Sequence, residues 1–223
     1  MKVAIFGGTF NPFHIAHAML ADIAVTELGY DRVHIVPAHT PPHKKMGEAT
    51  AALDRLAMVQ AFCAFDRRFV ADGREVERGG VSYTYETVTD IIRQYGAALD
   101  GRPALLLGQE TAAEFQKWHR AAELAEIVTV VIARRQKTAD MAVPSHGANV
   151  PLGAYAVRPF DGDGVVPVSY AHSRVLDNAL FPVSSTDIRA RIAGGMSFRY
   201  LVPPPIFEYI KTHQLYGYNS QNT

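Results

Sequence analysis

His14 and His17 stand three residues apart, directly behind a glycine pair, Gly7-Gly8, and the run Thr9-Phe10-Asn11-Pro12. On a helix that spacing puts both imidazoles on one face, where they can donate two hydrogen bonds into the same space. A glycine turn lets backbone N–H groups approach a ligand with no Cβ in the way, and a helix start carries unpaired donors and a partial positive charge. The guest for such a place is an anion, phosphate first. The bland reading of the same pair is two surface or capping histidines. A zinc pair is a third, but no Cys or acidic ligand follows at metal-site spacing, so no metal site is assigned. The turn has neither the Gly-Lys-Ser/Thr ending of a P-loop nor the third glycine of a dinucleotide fingerprint.

The elements that must position these groups alternate between strand and helix. Lys2 to Phe6 is a short apolar run, and the apolar spacing becomes helical from Ile15 to a stop near Gly29. Arg32 to Val36 is a second strand, ended by Pro37. Strand, helix, strand makes a parallel pair with a right-handed crossover, whose ligands sit outside the carboxyl ends of the strands, so the glycine turn and the loop after Val36 are expected to face one cleft. That loop, Pro37-Ala-His39-Thr-Pro41-Pro42-His43-Lys44-Lys45, is stiffened by prolines that hold its cations out. A helix is expected from Asp54 to about Phe65, a strand over Phe69 to Asp72, and a helix ending near Gly96 that Ser82 or Thr84 could cap. Pro103 to Gly108 and Ile127 to Ala133 read as buried strands, the second ended by Arg134-Arg135. Residues 136–163 show no clear period beyond a strand at 154–158, and read as a loop or an interface arm; Asp161 and Asp163 there read as surface residues. Ser184-Ser185-Thr186 opens a helix that runs through Ala193. The chain is expected to be one domain over 1–223, with an irregular insertion at about 136–163 and a helical C-terminal end.

Composition narrows the partners. A formal net charge of zero gives no sign of a polyanion partner, so nucleic acid is not expected and any phosphate site must be local. The single cysteine, Cys63, lies in an apolar run, which rules out an internal disulfide and fits a buried thiol in a reducing compartment. No apolar run approaches the ~18 residues of a membrane helix and no leader pattern opens the chain, so a cytoplasmic protein without a membrane partner is expected. Homo-oligomerisation is left open.

The opening run Gly-Gly-Thr-Phe-Asn-Pro-x-His-x-x-His resembles the HxGH signature of the nucleotidyltransferase superfamily, with Ala16 where the family usually has Gly. Pro-Pro-His-Lys at 41–44 is similar to the loop of the bacterial nicotinate mononucleotide adenylyltransferases, and Ser-Ser-Thr-Asp-Ile-Arg at 184–189 to the superfamily's second signature. Leu201-Val-Pro-Pro204 with the apolar residues up to Tyr216 matches the family's closing helix, so the resemblance spans nearly the whole chain. It implies an α/β, Rossmann-like parallel sheet flanked by helices, of nucleotidyltransferase type, and adenylyl transfer from ATP to nicotinate mononucleotide. The implied catalytic residues are His14, His17, Lys44 and Arg189. ATP would lie on Gly7, Gly8, Thr9, Phe10, Gly108, Glu110, Ser185 and Thr186, with Glu110 where the family usually has Asp. Nicotinate mononucleotide would meet Asn11, His43, Lys44, Tyr83, Thr84 and Trp118, the indole against the pyridine ring. Mg²⁺ would be carried by the ATP phosphates. A superfamily member with another substrate, such as nicotinamide mononucleotide or phosphopantetheine, a non-catalytic nucleotide sensor, and a zinc protein using His14, His17, His39 and His43 are the competing readings.

Overall fold

The computed structural model describes residues 1–40, 50–134, 173–179 and 181–219. In chain order the strands are β1 (Val3–Gly8), β2 (Arg32–Pro37), β3 (Phe69–Ala71), β4 (Ala104–Gly108), β5 (Thr129–Ala133) and β6 (Arg174–Leu176). The helices are α1 (Ile15–Thr26), α2 (Ala52–Cys63), α3 (Arg74–Arg78), α4 (Thr84–Tyr95), α5 (Gln109–Ala113), α6 (Ala121–Ile127), α7 (Ser185–Ala193) and α8 (Pro204–Thr212). The strands form one six-stranded sheet in the order β3-β2-β1-β4-β5-β6. Each neighbouring pair is parallel.

Strand order sets where a ligand can go. The chain moves outward from β1 to β2 and β3, then returns to the far side of β1 for β4, β5 and β6. Loops leaving β1 and β4 therefore diverge, and the gap between them at the carboxyl end of the sheet is a topological switch point, where open parallel sheets take ligands. Gly7 and Gly8 end β1 and Gly108 ends β4, so all three glycines reach that gap.

Two apolar cores flank the sheet, and strand alternation divides the residues between them. Val3 and Ile5 of β1 and Leu105 and Leu107 of β4 face α4 and α6, packing with Val88, Ile91 and Leu124. Ala4, Phe6, Ala104 and Leu106 face the other way, onto α1, α2, α7 and α8, packing with Ile23, Met58, Ile188 and Ile206. With both faces covered, the central strands read as unbroken apolar runs. Among the described residues, no helix is long and apolar enough to cross a membrane.

The observed elements differ from the expected ones where local signals were weak. α2 opens at Ala52, ahead of Asp54, and closes at Cys63. α1 ends at Thr26, and Gly29 takes the left-handed conformation in the turn beyond it. Tyr83, with extended backbone, caps α4 and no side chain bonds its first turn. Ser82 is engaged elsewhere, its Oγ accepting from the His39 N–H at 3.0 Å. Trp118 follows a single 3-10 turn over Phe115–Lys117 with extended backbone. The short elements α3, α5, α6 and β6 were not anticipated; β6 is three residues long and joins the sheet only through β5. The insertion expected at 136–163, with its strand at 154–158, Asp161 and Asp163, lies outside the described residues.

Candidate active site

His14 occupies the residue before α1, with extended backbone, and His17 sits in the helix's first turn. The His14 N–H donates to His17 Nδ1 at 3.1 Å, and the two rings stack with centroids 3.6 Å apart and planes 17° from parallel. Because Nδ1 accepts, the neutral His17 ring carries its proton on Nε2. Phe6, Phe10 and Phe13 surround His17, with ring centroids 5.8, 5.1 and 5.2 Å away. Aromatic packing on three sides and one backbone hydrogen bond thus fix an imidazole that has few other orientations to adopt.

Both histidines line an open cleft of about 370 Å³ at the carboxyl end of the sheet. Its walls also include Gly7, Gly8, Thr9 and Phe10 after β1, Gly108 and Glu110 after β4, and Ser185 and Thr186 at the start of α7. All the residues assigned to ATP from the sequence therefore share one hollow with His14 and His17. Glycine is not demanded at 7 or 108 by packing, since a Cβ added at either would meet nothing within 4 Å. What a side chain there would fill is the cleft. α1 and α7 begin at its rim, with the partial positive charge of their N-termini toward it.

Arg189 and Asn11 are not on the cleft wall. Arg189 Nη1 donates to the Asn11 carbonyl at 2.8 Å, and Ser185 Oγ donates to the Pro12 carbonyl at 2.9 Å. The opening motif and the start of α7 are thereby tied together. Tyr216 donates its hydroxyl proton to Asn11 Oδ1 at 2.8 Å, so the segment after α8 reaches the same motif. Burial pushes the Tyr216 phenol up to about 12, and it stays a donor across the physiological range. Ser184 caps α7, its Oγ accepting from the Asp187 N–H at 3.1 Å.

Of the residues assigned to the mononucleotide, Tyr83, Thr84 and Trp118 are brought together, apart from Asn11 and off the cleft wall. The Tyr83 ring lies 4.6 Å from that of His119, and Trp118 stacks on buried Phe115 with centroids 5.2 Å apart. The α4 start bearing Tyr83 and Thr84 thus abuts the segment bearing Trp118. His43 and Lys44 lie outside the described residues. The loop after β2, described as far as Thr40, starts beside the glycine turn, the Ala38 N–H donating to the Gly8 carbonyl at 2.9 Å. It is also bonded to the α4 entry, with the Ser82 N–H donating to the Thr40 carbonyl at 3.1 Å and His39 Nδ1 lying 3.0 Å from the Gly80 carbonyl. It borders the Tyr83 group.

Some cleft residues carried no usable sequence signal. Arg134 and Asn178 line the cleft, and the Asn178 side chain accepts from the Arg134 N–H at 2.8 Å and donates to its carbonyl at 3.2 Å. The only clue was the Arg pair ending a strand; Asn178 comes from a distant stretch with no motif. Among the described residues, no group of three His, Cys, Asp or Glu is placed to hold a metal ion.

A glycine turn at the switch point of a parallel sheet, an imidazole pair at one helix start and a Ser-Thr pair at another define a nucleotidyltransferase. Residues 5–191 match the cytidylyltransferase-like family, and the chain belongs to it. Among its relatives are the probable nicotinate-nucleotide adenylyltransferases of Treponema pallidum (strain Nichols), 36% identical over 97% of this chain and 99% of that one, and of Salinibacter ruber, 36% identical over 97% and 98%. Of solved structures, the Plasmodium falciparum nicotinic acid mononucleotide adenylyltransferase complexed with NaAD shares the fold, with a TM-score of 0.66 and 15% identity over 98% of both chains.

Proposed function

We propose that this chain, acting as a single domain in the cytoplasm, transfers the adenylyl group of ATP to nicotinate mononucleotide, releasing pyrophosphate and forming deamido-NAD. The observation that carries the reading is the shared hollow: the histidines before and within the first turn of α1 and the hydroxyls at the start of α7 border the same cleft at the switch point. Relatives named for this reaction over nearly their whole length support it.

No protein nucleophile is needed. The 5′-phosphate of the mononucleotide attacks the α-phosphorus of ATP, one P–O bond forms as the bond to the β-phosphate oxygen breaks, and pyrophosphate takes the electron pair. The protein's work is positioning and charge stabilisation. His14 and His17 donate to the phosphates, the α1 and α7 N-termini face them, and Gly7 and Gly108 leave room for close approach. Mg²⁺ enters with ATP as part of that substrate. Thr84 and its neighbours at the start of α4 take the nicotinate carboxylate, which a helix start favours over a neutral amide. The Trp118 indole stacks on the pyridine ring, and Lys44 and His43 reach the mononucleotide phosphate. Arg189 acts by holding Asn11.

The test is pyrophosphate release measured with ATP and, side by side, nicotinate mononucleotide, nicotinamide mononucleotide and phosphopantetheine. The expected result is fastest turnover with the nicotinate substrate. Faster turnover on either competitor would reassign the substrate, and binding of ATP without release from any of them would make the chain a sensor. Zinc found at one equivalent in the purified protein would point to the histidines as a metal site.

A further inference from the structure

Arg55 is the largest fully buried side chain among the described residues, with none of its surface exposed. It lies in the first turn and a half of α2, on the helix face shared with Leu56, Met58 and Val59. Among the described residues no carboxylate pairs with it. Its guanidinium bonds to main-chain carbonyls instead: Nη1 to Thr9 at 2.8 Å and to Ala38 at 2.6 Å, Nη2 to His39 at 3.0 Å, and Nε to Thr50 at 3.3 Å. Those carbonyls belong to the turn after β1, the loop after β2 and the approach to α2.

We propose that Arg55 is a positioning residue for adenylyl transfer, clamping the ATP turn after β1 to the loop after β2 that borders the Tyr83 group. A buried charge is weak evidence for stability, because apolar residues of similar volume often serve a core as well or better. What a planar, five-donor guanidinium supplies that a core residue does not is simultaneous, directional bonding to several carbonyls. Thr9 is the telling acceptor. It lines the cleft, and it precedes Phe10, whose φ of 48° is left-handed. Peptide planarity turns the Phe10 N–H to the side opposite the Thr9 carbonyl, so drawing that carbonyl toward α2 turns this N–H away from α2. The same guanidinium holds Ala38 and His39, and His39 N–H is in turn bonded to Ser82 Oγ at 3.0 Å, one residue before the α4 cap. One side chain thus sets the spacing between the ATP cleft and the mononucleotide group.

The inference rests on the function proposed above, and the experiment separates the two. Arg55→Met and Arg55→Lys are compared with the unmodified chain by circular dichroism, thermal unfolding and steady-state pyrophosphate release, with both substrates varied, well below the melting temperature. Folded Arg55→Met is expected to lose roughly 10- to 100-fold in kcat, the scale of a misplacement of about an ångström at a reacting centre. Arg55→Lys, one cation with no planar fork, is expected to fall between, and to show faster amide exchange at residues 8–10 and 38–40. Should Arg55→Met fail to fold, the Lys variant decides. Turnover and both KM values within about two-fold of the unmodified chain in a folded variant, with exchange unchanged, would overturn the proposal. If the unmodified chain itself released no pyrophosphate, the functional reading would fall, while the exchange measurement would still judge the clamp.

Discussion

Arg189 holds the backbone carbonyl of Asn11 at 2.8 Å although 178 residues separate them in the chain. The contact joins the two motifs that border the cleft, and its second arm lies 3.4 Å from Thr186 Oγ1 on its own helix. Lysine cannot span both acceptors. Arg189→Lys is therefore expected to lower kcat/KM for ATP by about 10-fold or more, with a melting temperature only a few degrees lower. Steady-state kinetics beside thermal unfolding check this, and a kcat/KM equal to that of the unmodified chain would remove Arg189 from the site's framework.

His17 is held by the His14 N–H and by three phenylalanine rings, so its loss removes a preorganised donor without opening the core widely. Replacement by Ala is expected to reduce turnover by at least ~10²-fold, with a smaller change in KM, as for one donor aimed at developing charge. Pre-steady-state and steady-state pyrophosphate release measure both quantities. Near-normal turnover would show that the imidazole does no chemistry.

Two buried carboxyls should respond to pH in opposite senses. Burial raises the Asp72 carboxyl, but hydrogen bonds from His34 at 2.7 Å and from Arg74 Nε at 2.8 Å outweigh it and hold the group well below the usual carboxylate range. A depressed folded value means that its stabilisation is complete above about pH 4, the unfolded value, and is lost as pH falls toward the folded one. Asp72→Asn is expected to lower stability at pH 7 by about 2–3 kcal/mol and to flatten the acid limb of the stability curve, read by urea unfolding from pH 7 down to 3. An unaltered acid limb would refute it.

Glu75 runs the other way. Burial raises its carboxyl, although Thr87 donates to it at 2.5 Å. A raised folded value favours the fold below about pH 4, where both states are protonated, and that contribution disappears as pH rises through the folded value. Glu75→Gln keeps an acceptor for Thr87 and has no charge to bury. Its melting temperature at pH 7.5 is expected to equal or exceed that of the unmodified chain, and a drop of more than a few degrees would show that the ionised carboxylate is stabilising.

Cys63 has its thiol pushed up to about 12, first by burial and then by nearby Asp66. Almost no thiolate forms at neutral pH. Iodoacetamide at pH 7.5 is expected to leave the folded protein unmodified by mass spectrometry and fully active, and rapid stoichiometric labelling of the native chain would contradict this.

Periodicity and short motifs were enough to read the alternating strands and helices, the parallel sheet, and the glycine, histidine and serine-threonine segments that border the cleft. These are local properties: an apolar run such as Ala104–Gly108 or a hydroxyl run at a helix start shows itself within a few neighbours. The partner of each segment was not legible in that way. Strand order placed β4 rather than β3 beside β1 and so put the cleft between Gly7 and Gly108. Main-chain bonds tied the start of the loop after β2 both to Gly8 and to the Thr40–Ser82 contact at the α4 entry, a pairing no local pattern showed. Arg55, Arg189 and Tyr216 act by grasping carbonyl or amide groups far along the chain, and a residue type alone does not say which backbone it will meet. Hydrogen bonds between segments distant in sequence depend on how the whole sheet is stacked and ordered, which is why only the assembled fold could decide them.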